Sequence, residues 1–140
     1  MKKIVFYSIK NIRSVFCNSI NEILKTKIIF LHSEMGRGKT EFVNNIISLL
    51  GGKKNKVNSP SYNLKNIYKT NYFYILHYDL HNINSITEIF LKKEEKNRNK
   101  SIIIFEWGET IEKNIIKRYI KMNINLCKNS NMREILLSIK

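Results

Sequence analysis

Ile28-Ile29-Phe30-Leu31-His32-Ser33-Glu34-Met35-Gly36-Arg37-Gly38-Lys39-Thr40 runs from an apolar segment through a loop with two glycines to Gly-Lys-Thr. Phe42, Val43, Ile46, Ile47 and Leu50 follow at helical spacing. Strand, glycine-containing loop, helix is the context that a phosphate-binding P-loop requires. Backbone N–H groups of such a loop and of the helix N-terminus converge on an anion. Gly36 and Gly38 permit backbone angles and a close approach that a Cβ would block. Lys39 is placed to reach β- and γ-phosphate oxygens, and the Thr40 hydroxyl to ligate Mg²⁺. The usual pattern, G-x-x-x-x-G-K-[ST], begins with Gly, and Ser33 stands there instead. A positive φ at that position would cost serine about 1 kcal/mol.

Working outward, Ile4 to Ile9 reads as a strand and Ile12 to Leu24 as an amphipathic helix. Gly51-Gly52 ends the P-loop helix, and a polar loop leads to Ser59-Pro60-Ser61-Tyr62. Pro60 fixes its own φ and biases Ser59 toward extended geometry. Tyr62 to Tyr68 and Tyr72 to Asp79 are predicted strands joined at Lys69-Thr70-Asn71. Asn84 to Leu91 and Glu109 to Lys117 are predicted helices, with the charged run Lys92 to Lys100 between them. Ile102-Ile103-Ile104-Phe105 is continuously apolar, as a parallel strand covered on both faces requires. Tyr119 to Cys127 and Met132 to Ile139 form a last pair of strands. The expected fold is α/β: one P-loop NTPase-like domain over 1–140, a three-layer sandwich with a mixed central sheet and antiparallel hairpins.

A nucleotide-hydrolysing P-loop needs a carboxylate near Mg²⁺, at the tip of a neighbouring apolar strand. Glu106 follows Ile102 to Phe105, and Asp79 follows Ile75 to Tyr78. Both are candidate metal ligands. Glu106, Asp79 and Lys39 are the candidate catalytic residues. Ser59 and Ser61 are candidate sensors of the γ-phosphate, and Trp107 stands beside Glu106. His77 and His81 flank Asp79 but lack a further His or Cys pair, so the histidines read as structural. Cys17 and Cys127 read as buried thiols of a reducing compartment.

The formal net charge of +14 suggests polyanion binding. Yet Lys, Ile and Asn make up 63 of the 140 residues, the bias of an A/T-rich genome, and Arg numbers only 5. The charge alone therefore argues little. No run is apolar enough to span a membrane and Met1-Lys2-Lys3 opens no signal peptide, so a cytoplasmic protein without membrane contact is expected.

The P-loop, Ser59-Pro60-Ser61-Tyr62, His77-Tyr78-Asp79-Leu80 and Glu106-Trp107, in that order, resemble the TsaE (YjeE) family across nearly the whole chain. The resemblance implies a small bacterial ATPase of tRNA threonylcarbamoyladenosine biosynthesis, weakly active alone. It implies ATP and Mg²⁺ as cofactors and TsaD-like and TsaB-like proteins as partners, with tRNA met through their complex. By position, Gly36, Arg37, Gly38, Lys39 and Thr40 would hold the phosphates, with Met35 beside them in the nucleotide site, and Thr40 and Glu106 the metal, with Asp79 the catalytic carboxylate. Ser8 and Ile9 near the N-terminus, and Arg133 in the final hairpin, would approach the base. The chain departs from the family pattern at Ser33, Ser61 (usually Thr), His81-Asn82 (commonly Tyr-Arg) and Gly108 (frequently Pro). Two other readings fit a P-loop or a basic chain. A metabolite kinase would need an Arg-rich lid. A non-catalytic RNA-binding module would need aromatics such as Tyr62, Tyr68, Tyr72, Phe73 and Tyr74 interleaved with lysines on one face.

Overall fold

The computed structural model describes residues 2–8, 16, 17, 19–53, 57–81, 93, 96, 99–112, 118–127 and 132–140. Its centre is β2 (Ile28–His32), buried at every position, as its apolar sequence requires. β2 pairs in parallel with β5 (Ser101–Glu106) on one side and with β6 (Ile120–Leu126) on the other. β4 (Tyr74–Asp79) extends the parallel centre beside β5. Antiparallel strands close both sides: β3 (Lys65–Lys69) on β4, and β7 (Met132–Ile139) with β1 (Lys2–Ser8) beyond β6. The seven-stranded order is β1-β7-β6-β2-β5-β4-β3. A mixed sheet with antiparallel hairpins at its margins is the expected architecture.

Alternation along the strands divides the core into two layers. Ile29, Leu31, Ile102 and Ile104 face α1 (Ile20–Thr26) and α2 (Lys39–Leu49), which contribute Ile23, Phe42, Val43, Ile46 and Ile47. Ile28, Phe30, Ile103, Phe105, Leu76 and Tyr78 pack on the other face with Tyr119 and with Ile111 of the short α3 (Glu109–Glu112). The helix expected at 84–91, and 113–117 of the next, lie outside the described residues.

Two strand boundaries differ from expectation. Tyr62 belongs not to β3 but to a 3₁₀ turn, Pro60–Tyr62, closed by the Asn63 N–H on the Pro60 carbonyl at 2.9 Å. Proline at its first position sets the φ the turn needs, and Ser59 before it is extended. Tyr72 and Phe73 lie in the hairpin turn, not in β4. Thr70 closes that turn twice, its N–H donating to the Phe73 carbonyl and its hydroxyl accepting from the Phe73 N–H at 3.1 Å. The cysteines also depart from the buried reading. Cys17 is exposed, on the outside of a helical turn whose Phe16 is buried, and Cys127 is half-buried past the exposed end of β6. No described helix is long and apolar enough to cross a membrane.

Candidate functional site

The parallel registers determine what meets at the carboxyl ends of the central strands. Asp79 of β4 is the register partner of Glu106 of β5, and Glu106 is also the partner of Leu31 of β2. Two carboxylates at adjacent strand tips therefore stand on one side of the start of the P-loop, in the crevice where open α/β sheets bind ligands. A cavity of about 350 Å³ opens there. Gly36, Gly38, Lys39 and Thr40 form one wall, Ser59 and Ser61 another, and Asp79, Glu106, His81 and Trp107 complete it together with Met35.

The loop is built for close approach. Gly36 and Gly38 have φ of +75° and +101°, and a Cβ at either would meet nothing within 4 Å. Glycine is thus required there by backbone conformation, not by crowding. Gly38 caps α2, so the N–H groups of the first helical turn open toward the cavity. Ser33 has no positive φ, and the penalty weighed for serine does not arise. Its carbonyl and hydroxyl instead accept from the Lys39 ammonium at 3.0 and 3.3 Å.

Lys39 is buried, and its ammonium lies 4.5 Å from the centre of the Trp107 ring. Burial lowers its pKa, opposed by the negative charges of Glu106, Asp79 and Glu109. Trp107 turns the chain after β5 with φ +58°, a conformation that a bulky residue rarely holds. His81 meets the tryptophan edge-on at 4.9 Å between ring centres. Gly108 follows because a Cβ there would lie 2.5 Å from the Phe30 ring. The large Phe30 thus goes with a glycine where the family pattern often has proline.

The carboxylates are gripped differently. Asp79 accepts the Ser61 hydroxyl on Oδ2 at 2.5 Å and the His81 N–H on Oδ1 at 2.9 Å, and Ser59 and Ser61 share a 2.7 Å hydroxyl contact. Glu106 meets His77 Nε2 at 2.7 Å, with both side chains buried. Outside the cavity, His32 Nδ1 meets Glu109 Oε1 at 2.7 Å. Among the described residues no three His, Cys, Asp or Glu side chains cluster to hold a metal unaided. The donors fit Mg²⁺ as that ion is usually held, by a hydroxyl and one or two carboxylates completed by phosphate oxygens. The open, amide-lined loop with its lysine fits a polyphosphate.

A model of the family described as threonylcarbamoyl adenosine biosynthesis protein TsaE matches residues 8–135. The chain belongs to the TsaE family. Among its curated relatives, the Rickettsia typhi tRNA threonylcarbamoyladenosine biosynthesis protein TsaE is 34% identical over 121 residues, 86% of this chain and 82% of the relative. The Rickettsia bellii protein of the same name is 31% identical over 117 residues, 84% of this chain and 79% of that one. The crystal structure of Bacillus subtilis YdiB shares the fold, with a TM-score of 0.62 at 15% identity over 98% of this chain and 86% of that one.

For this TsaE-family chain, the structure gathers most of the residues singled out from the sequence in one cavity. It sets four apart. Arg37 pairs with Glu34 (Nε at 3.0 Å) instead of lining the cavity, and Arg133 donates to the Arg37 carbonyl at 3.4 Å. Ser8 ends β1 opposite Met132, three strands from β2, and Ile9 lies outside the described residues. Sequence reasoning missed His81 as a cavity residue, His77 as the partner of Glu106, and the His32–Glu109 pair. His77 carried a signal, a polar residue two before Asp79 inside an apolar strand. His32 and Glu109 carried none, being 77 residues apart.

Proposed function

We propose that this chain binds ATP with Mg²⁺ in the cavity at the tips of β2, β4 and β5 and hydrolyses it. In this reading it serves tRNA threonylcarbamoyladenosine synthesis, the process its Rickettsia relatives are named for. It would act in the cytoplasm with TsaD-like and TsaB-like proteins and meet tRNA through them. The observation that carries the reading is the convergence of the P-loop with two carboxylates from adjacent strands. Gly36 to Thr40 would hold the phosphates, and Thr40 and Glu106 the metal, with Asp79 in support. Bound Mg²⁺, held by Thr40 and Glu106, would offset the negative charge of the phosphates. Lys39 adds an ammonium to the same oxygens. Asp79 orients the nucleophile's side of the cavity, and through Ser61 it ties the Ser59–Tyr62 loop to β4. A loop fastened by one carboxylate can respond to what that carboxylate binds.

The kinase reading is weaker, because the sequence between β4 and β5, where a lid would lie, is rich in Lys and Asn, with Arg98 its single arginine. The RNA-module reading leaves the P-loop and Glu106 without a role.

Thermal-shift titration with ATP and Mg²⁺ tests the proposal. Ligand at 100 times its Kd adds about 2.7 kcal/mol of apparent stability. Thr40→Ala is expected to lose the Mg²⁺-dependent part. No shift with any nucleotide would refute both the ATPase and the kinase readings, whereas phosphate transfer to a small molecule would favour the kinase.

A further inference from the structure

We propose that His77 is a positioning residue that fixes the Glu106 carboxylate for the metal-bound nucleotide. The proposal rests on reading the cavity as an ATP–Mg²⁺ site. His77 lies on β4, a strand otherwise buried through Ile75, Leu76 and Tyr78, and its side chain has no exposed surface. A fully buried imidazole among apolar residues needs a reason, since a leucine would fill the place without polar atoms to satisfy. Its Nε2 has one partner, Glu106 Oε1 at 2.7 Å, and its Nδ1 has no hydrogen-bond partner among the described residues. The histidine therefore spends its one good bond on Glu106. With a carboxylate as acceptor, Nε2 carries the proton.

Strand register makes this contact specific. His77 sits opposite Ile104, two residues below the Asp79–Glu106 pair, on the sheet face that α2 covers. From there its ring reaches up to Glu106 from beneath the cavity. It occupies Oε1 and leaves the second oxygen for the cavity that Glu106 lines. Without that bond the Glu106 side chain is free to turn. Asp79 does not need His77, because Ser61 and the His81 N–H already hold its two oxygens. The effect of His77 should therefore fall on metal binding and spare the phosphate grip of Gly36 to Lys39.

The test is a Mg²⁺ titration of the full chain at saturating ATP, followed by thermal shift, beside ATP affinity measured in EDTA. His77→Leu should raise the Mg²⁺ half-saturation about tenfold or more, the range for partners that orient metal ligands, and leave metal-free ATP affinity within about twofold. His77→Gln keeps an N–H near the position of Nε2 and should return the half-saturation to within about threefold of wild type. A half-saturation unchanged in His77→Leu, or an equal loss of metal-free ATP binding, overturns the inference and leaves His77 a packing residue. If His77→Leu does not fold, by circular dichroism and melting without ligand, Gln and Asn variants decide. Asn is too short to reach Glu106 and should lose metal affinity where Gln keeps it, and equal behaviour overturns the inference. A wild-type protein with no Mg²⁺ dependence removes the nucleotide-site reading itself, an outcome distinct from a wild type that needs Mg²⁺ while the variants match it.

Discussion

His77–Glu106 and His32–Glu109 close at the same 2.7 Å, and the two glutamates stand at either end of Glu106-Trp107-Gly108-Glu109. Their surroundings separate them. In the first pair the side chains are 0% and 3% exposed, and in the second 9% and 57%. A buried pair costs stability when one member is removed, because the other is left dry and unpartnered. In the second pair only the carboxylate is open to solvent, and although His32 is itself buried, water can take the place of the exposed Glu109 beside it, so less is lost. The first pair is therefore suited to holding a carboxylate still at the cavity. The second ties the end of β2, just before the P-loop, to the start of α3.

The comparison breaks most readily at Glu106. Glu106→Ala is expected to lower folding stability by about 3 kcal/mol through the stranded His77, and to abolish the Mg²⁺-dependent thermal shift. Urea unfolding reads the first effect as a lower midpoint at unchanged slope. A loss as small as that of Glu109→Ala would mean that burial does not distinguish the pairs.

Gly108 lies between them and sharpens the contrast. Gly108→Ala places a Cβ 2.5 Å from the Phe30 ring, beneath the turn that carries Trp107. The expected cost is about 1–3 kcal/mol, and Phe30→Leu in the same chain should recover part of it. Full additivity of the two substitutions would deny the contact.

At the smaller end, Glu109→Ala should cost under about 1 kcal/mol, less at high salt. Burial pushes the Glu109 carboxyl up, but the His32 hydrogen bond, its own backbone N–H and the charges of His32 and Lys121 bring it below its usual 4.5. The folded state then binds that proton less readily than the unfolded one. The contribution is complete above 4.5 and fades as pH falls toward the lowered folded value. The stability gap between wild type and Glu109→Gln should shrink over that acid range. A gap that grows with acidification would reverse the sign.

Local signals in the sequence exposed the P-loop, the central apolar strands and both edge hairpins, because each rests on a few neighbouring residues. Ile28 to Leu31 and Ile102 to Phe105 are too apolar to lie anywhere but in a covered sheet, and Gly36 and Gly38 mark the loop. The short motifs also located Asp79 and Glu106, although only the register of β4 on β5 places them side by side. Tyr62 and Tyr72 have strand propensity, but turns closed by Pro60 and Thr70 overrode it. The histidine–glutamate pairs were hidden because nothing local joins residues 29 or 77 positions apart. The exposed thiol of Cys17 was hidden because which side of a short helical turn faces solvent depends on what Phe16 packs against.

The most direct test of the central claim is calorimetric titration of the chain with ATP, with and without Mg²⁺. Saturable binding is expected that Mg²⁺ tightens and that Lys39→Ala weakens about tenfold or more, a difference of at least 1.4 kcal/mol. Binding that ignores both Mg²⁺ and Lys39, or no binding of ATP at all, would contradict that claim.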